Sequence, residues 1–191
     1  MTSLAFNLSD VVEHAHDEAR TGLDGDRAGL LDAIAWLSAH LAAVAHAVHP
    51  VAVRRLPDGR FRVAALRRAE RPLHRMLWLL DRRLTGDART ARSSVPHLLE
   101  HLRAQVAVHE ELEHALLADL VASLDAETLG RLTSSYADAL AVAPTRPHPH
   151  SLGFHVDGAL DGLRNTLDGR HAPEGLSGQD ESPARGGAFG R

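Results

Sequence analysis

Apolar residues recur every three or four positions over long stretches of the chain, which is the spacing of one face of an α-helix. The pattern is cleanest between residues 94 and 124, where two polar residues, His109 and Glu113, fall on the apolar face. That face carries Leu99, Leu102, Val106, His109, Glu113, Leu116 and Leu120. A second stripe with the same spacing carries Ile34, Leu37, Leu41, Val44 and Val48. Both stripes predict amphipathic helices that pack inward.

Capping residues, glycines and prolines divide the chain into five predicted helices. We expect Ser9 and Asp125 to cap the first and fifth helices, Pro50 to kink or stop the second, and Pro72 to disturb the third. The predicted spans are residues 10–21, 27–49, 61–84, 94–124 and 125–141. Long helices joined by short turns are typical of an up-down bundle. The expected fold is therefore all-α, an up-down four-helix bundle with a fifth covering helix.

The amino-acid composition of the chain changes after the fifth helix. Residues 143–150 read APTRPHPH, which is too rich in proline for a helix and predicts an extended strap across the bundle. A weak helical segment is expected over residues 156–167, followed by a flexible tail in which Gly, Pro, Ser and charged residues dominate. We therefore expect a bundle domain over residues 1–150, and a weak helix with a disordered tail over residues 151–191.

Composition narrows the classes of function. The 191 residues include no cysteine, which excludes disulfides, thiolate metal sites and a cysteine nucleophile. The net charge of −4 gives no broad basic field for nucleic acid, and all 21 basic residues are arginine. No apolar run reaches 18 residues, and no charged segment leads into an apolar stretch at the N-terminus. We expect a cytoplasmic protein that binds neither nucleic acid nor membrane.

Histidine is unusually frequent, with 14 residues in the chain. His109 and Glu113 lie four residues apart and share a helix face. An imidazole beside a carboxylate suits iron, manganese or zinc, and burying the carboxylate among leucines is costly without such a partner. The alternative is that Glu113 pairs with an arginine at the end of the bundle or points outward.

The histidine pattern repeats along the chain. His16 precedes His40 by 24 positions, and His74 precedes His109 by 35 positions, so each predicted helical hairpin carries one histidine followed by another. Such a repeat places ligands from four helices around one centre. His14 competes with His16 for the position on the first helix. Four other histidines lie off the inward stripes and are expected at the surface: His46, His49, His97 and His101.

These motifs resemble the hemerythrin-like domains, also called HHE cation-binding proteins. Residues 40–50, HLAAVAHAVHP, have the spacing that this family shows at the end of its second helix, and residues 109–120, HEELEHALLADL, match its fourth. The sequence APTRPHPH is similar to that of an arginine-rich bacterial branch. The resemblance covers roughly residues 9–150.

The resemblance implies a non-haem di-iron centre that binds dioxygen, nitric oxide or peroxide, or that senses iron or oxygen. If the ligand pattern of the family is transferred to this chain, the terminal ligands would be His16, His40, His74 and His109. The bridging carboxylate would be Glu113. This chain departs from the family pattern at Val44, where a glutamate is expected. The remaining five ligands would serve one metal ion, or two ions with solvent bridges.

Two functions follow as hypotheses. The first is a hemerythrin-like protein that binds iron, or another divalent metal, and coordinates a small diatomic ligand or peroxide. Binding or sensing is favoured over enzymatic turnover, because no proton-donating residue stands out. The second hypothesis, which Val44 favours, is a metal-free, degenerate bundle that acts as an interaction or regulatory module.

Overall fold

A computed structural model describes residues 7–147 of the chain, and every regular element in that range is helical. This confirms the all-α prediction. Five helices pack together, and a single 3₁₀ turn, Ala88–Thr90, lies between the third and the fourth. The helices are α1 Leu8–Leu23, α2 Arg27–Arg55, α3 Gly59–Leu84, α4 Val95–Ser123 and α5 Ala126–Val142.

The N-terminus of α1 is set by a residue that the sequence pattern did not single out. Asn7 is the N-cap, and its side-chain oxygen accepts from the backbone N–H of Asp10 at 3.0 Å, while the Asp10 carboxylate accepts from the N–H of Asn7. This reciprocal pair satisfies two N–H groups that otherwise lack partners. The prediction that Ser9 caps this helix was wrong, whereas Asp125 caps α5 as expected.

Helix α2 runs through Pro50 to Arg55, so of the kink or stop expected at this proline the stop is wrong. Residues Val44–Val48 form a π-helical turn, in which the N–H of His49 donates to the carbonyl of Val44. Pro50 then lies in the first turn of the α-helical continuation His49–Arg55, a position where the missing N–H leaves no bond unmade. The extra residue of the π-helical turn therefore allows the helix to continue beyond Pro50.

Helix α3 is likewise unbroken across Pro72, which is exposed on its outer side. The turn before α3 requires glycine at position 59, because a Cβ there would lie 2.1 Å from the carbonyl oxygen of Ala52. This close approach directs α3 back along the C-terminal part of α2.

The packing joins α1 to α2 and α3 to α4, while α2 also contacts α3 and α5. Helix α2 is long and apolar enough to cross a membrane, but 67% of its most apolar window is buried within the protein. It is therefore the central helix of the core.

Across the surface, the Arg20 guanidinium on α1 donates to Glu110 on α4 at 2.8 Å.

Only the beginning of the predicted strap lies within the described residues. The backbone is extended at Ala143, and Thr145 is completely buried. The rest of the strap with His148 and His150, the weak helix over residues 156–167 and the tail lie outside the described residues.

Candidate metal centre

Four of the five predicted ligands meet in the core. His16 comes from α1, His40 from α2, and His109 and Glu113 from successive turns of α4. All four side chains are 0% exposed. The uncertainty over the first helix is resolved in favour of His16, because His14 is exposed and its ring lies edge-on to Trp36.

The ligating atoms converge on a single point. The Oε2 atom of Glu113 lies 3.0 Å from Nε2 of His16, 3.2 Å from Nε2 of His40 and 3.7 Å from Nε2 of His109. The Nε2 atom of His40 lies 3.1 Å from that of His16 and 3.3 Å from that of His109. All four atoms lie within 4.8 Å of one another.

Five of the six separations are close to those of ligands around one ion, and the sixth, between the Nε2 atoms of His16 and His109, is at most 4.8 Å. Four atoms bound tetrahedrally at 2.0–2.1 Å lie about 3.3 Å from each other. Hydrogen bonding accounts for the cluster less well, since within residues 7–147 neither oxygen of Glu113 accepts a hydrogen bond of good geometry. A buried carboxylate whose oxygens accept no hydrogen bond requires a compensating partner. Three imidazole nitrogens and one carboxylate oxygen fit iron, manganese or zinc.

Electrostatics favour the protonation states that metal ligation needs at His109 and Glu113, but not at His16. Burial lowers the pKa of His109 to about 3, so this imidazole is neutral. Burial opposes ionisation of Glu113, but the nearby His40 and His109 and the contact with His16 outweigh it and hold the pKa of Glu113 well below its usual value. Burial also disfavours protonated His16, yet Glu113 raises the pKa of this histidine overall. A metal ion would therefore displace a proton from His16.

Tyr136 on α5 completes the centre, and sequence reasoning missed it. Its hydroxyl lies 2.8 Å from Nδ1 of His40, and its side chain is 0% exposed. Burial, followed by the charge of Glu113, raises the pKa of Tyr136 well above its usual value, so the phenol stays neutral. With Nδ1–H of His40 donating to the phenol oxygen, Nε2 is left free to ligate. Tyr136 is the only tyrosine in the sequence, and this rarity is the feature that could have pointed to it.

The fifth predicted ligand, His74, lies outside this group. It is half-buried on α3, its Nδ1 atom has no hydrogen-bond partner within the described range, and burial lowers its pKa. Val44, at the position where the family pattern has a glutamate, is completely buried at the start of the π-helical turn.

A second buried polar pair, His49 and Glu70, lies near the cluster. The Nε2 atom of His49 is 3.7 Å from Oε1 of Glu70, and neither atom has a hydrogen-bond partner in the part of the chain that the structure describes. Burial and the charge of Glu113 raise the pKa of Glu70 to about 7, whereas burial and the charge of Arg67 lower that of His49 to about 4. The expectation that His49 is a surface residue was therefore wrong.

The π-helical turn explains that error. In a regular α-helix, nine residues rotate the chain by two and a half turns, which places His49 about 180° from His40. The π-helical turn contains one extra residue, which reduces the rotation between His40 and His49 by about 100°. His49 therefore turns toward the core. The apolar periodicity of the sequence does not reveal the insertion.

Comparison of the chain with protein families, with curated proteins and with solved structures finds no match.

Proposed function

We propose that this chain is a hemerythrin-like metal-binding protein that holds one transition-metal ion between α1, α2 and α4. The observation that carries the proposal is the convergence of three Nε2 atoms on Oε2 of Glu113, at separations of 3.0, 3.2 and 3.7 Å. No other group of the described residues combines four ligand side chains with complete burial.

Each residue has a distinct role in this proposal. His16, His40 and His109 bind through neutral imidazoles, and Glu113 neutralises one of the positive charges of the ion. Tyr136 fixes the ring of His40 by accepting from Nδ1–H. The apolar wall includes Val44 and the leucines of α4, which exclude water and strengthen the electrostatic interactions inside.

Iron is the metal that we propose, on the strength of the family resemblance. Bound iron would supply coordination positions for dioxygen, nitric oxide or peroxide, so that the protein binds or senses one of these ligands. We further propose that the helices have the up-down arrangement of a hemerythrin-like bundle and that the protein acts in the cytoplasm.

The test is anaerobic loading of the purified full chain with ferrous iron. After gel filtration we expect about one iron per chain, together with near-ultraviolet and visible bands that change on exposure to air or nitric oxide. His109→Ala removes one ligand and should lose the iron, because the site has only four ligands. His97→Ala is the matched control, since His97 lies on the same helix and is 65% exposed.

Two results would overturn the proposal: no iron on the wild-type chain, or equal iron on wild type and His109→Ala. Either result would favour the metal-free bundle.

A further inference from the structure

The ring of His16 faces two clusters at once. Its Nε2 atom points into the buried centre, and its Nδ1 atom points outward, 3.9 Å from Oε2 of Glu13. That same oxygen lies 2.9 Å from Nε2 of His114 on α4. The ligating atoms of Glu13, His16 and His114 all lie within 4.8 Å of one another.

The inner edge of this outer cluster is an unpartnered polar atom. The Nδ1 atom of His16 belongs to a side chain that is 0% exposed, and it has no hydrogen-bond partner among the described residues. A buried ring nitrogen without a partner requires a bound group to satisfy it. Glu13 and His114 are 42% and 49% exposed, so the outer side of the cluster is open to solvent.

The surrounding charges favour a cation. Arg20 binds the other oxygen of Glu13 at 2.5 Å, and it also contacts Asp17 at 2.7 Å and Glu110 at 2.8 Å. Three carboxylates therefore surround one guanidinium. This excess of negative charge raises the local concentration of divalent cations.

We propose that Glu13, His114 and Nδ1 of His16 form a solvent-facing cation site through which the metal ion reaches the buried centre. This inference rests on the proposed function. The four inner ligands have no exposure to solvent, so a hydrated ion has to lose its water before it reaches them. Glu13 and His114 replace part of that water at the surface. His16, which belongs to both clusters, then lies between the ion and the inner ligands.

The test is the rate of Co²⁺ uptake, followed by stopped-flow visible absorption on the full chain. In the double variant Glu13→Gln with His114→Gln we expect uptake to slow by about tenfold, because the charged capture site is lost. Release to a chelator should slow by the same factor, which leaves the Kd unchanged. The matched control is His97→Gln with Glu100→Gln, an exposed pair on the same helix whose closest atoms are 4.0 Å apart. The control should load at the wild-type rate.

The possible results distinguish failure of the proposed access route from failure of the proposed buried metal site. If the wild-type chain binds Co²⁺ and the double variant loads equally fast, the access route is refuted and the buried site stands. A weaker Kd with an unchanged uptake rate also refutes it, because Glu13 would then only position His16. If the wild-type chain binds no Co²⁺, this inference and the proposed metal site both fail. Arg20 keeps Asp17 and Glu110 as partners in the double variant, and circular dichroism checks that it folds.

Discussion

Glu70 offers a sharp test of the electrostatics around the centre. Its pKa is raised from 4.5 to about 7 by burial and by the charge of Glu113, and its side chain is only 6% exposed. Because the folded state holds the proton more tightly than the unfolded state, the resulting stabilisation is complete below pH 4.5 and is lost as the pH rises to about 7. The difference of 2.5 pKa units corresponds to roughly 3 kcal/mol.

Replacing Glu70 with glutamine removes this titration while keeping the size of the side chain. We expect Glu70→Gln to raise the free energy of unfolding by less than about 1 kcal/mol at pH 5, where the unfolded wild-type carboxyl is already partly ionised. At pH 8 the variant should be more stable than wild type by up to roughly 3 kcal/mol, since the wild-type carboxylate is then ionised and buried. Urea unfolding of the metal-free chain, followed by circular dichroism at both pH values, measures the difference.

Glu100→Gln is the control, because Glu100 is 82% exposed and its substitution should have the same small effect at both pH values. Titration of the histidines that do not contact Glu70 is common to wild type and variant, so it cancels in the difference. An equal effect of Glu70→Gln at pH 5 and pH 8 would refute the assignment of a raised pKa to this carboxyl.

Three further changes test the site and the packing. Tyr136→Phe should lower the metal affinity by about 10- to 100-fold in a chelator competition, because the ring of His40 loses its partner; unchanged affinity would contradict that role. His74→Ala should leave the metal content at the wild-type level in elemental analysis, and loss of the ion would make His74 a ligand. Gly22→Ala should destabilise the fold by about 1–3 kcal/mol in urea, because its Cβ would lie 2.6 Å from a carbonyl oxygen of α2. Gly130→Ala is the comparison, since among the described residues no atom beyond its chain neighbours and its own helix backbone lies within 4 Å of a Cβ there, and equal effects of the two changes would contradict the packing.

Much of the helical architecture could be predicted from local pattern. The stripe on α4 placed His109 and Glu113 on the same face as Leu102, Val106 and Leu116, and all five are buried. That prediction needed only helical periodicity, and α4 contains no insertion. The buried position of Glu113 excludes the alternative in which its side chain points outward.

The rest of the site depends on contacts that local pattern does not encode. His49 turns inward because of the π-helical turn, and Glu70 becomes its neighbour only when α3 folds back along α2. Tyr136 reaches His40 from a helix 96 residues further along the chain.

The X-ray absorption spectrum of the chain loaded with Zn²⁺ tests the four-ligand site most directly. We expect about one zinc per chain, with four nitrogen or oxygen ligands at about 2.0–2.1 Å and outer scattering from three imidazole rings. Glu113→Gln and His109→Ala should each change that spectrum or abolish binding. A spectrum with fewer than two imidazoles, or one that both substitutions leave unchanged, would contradict the assignment of the metal to His16, His40, His109 and Glu113.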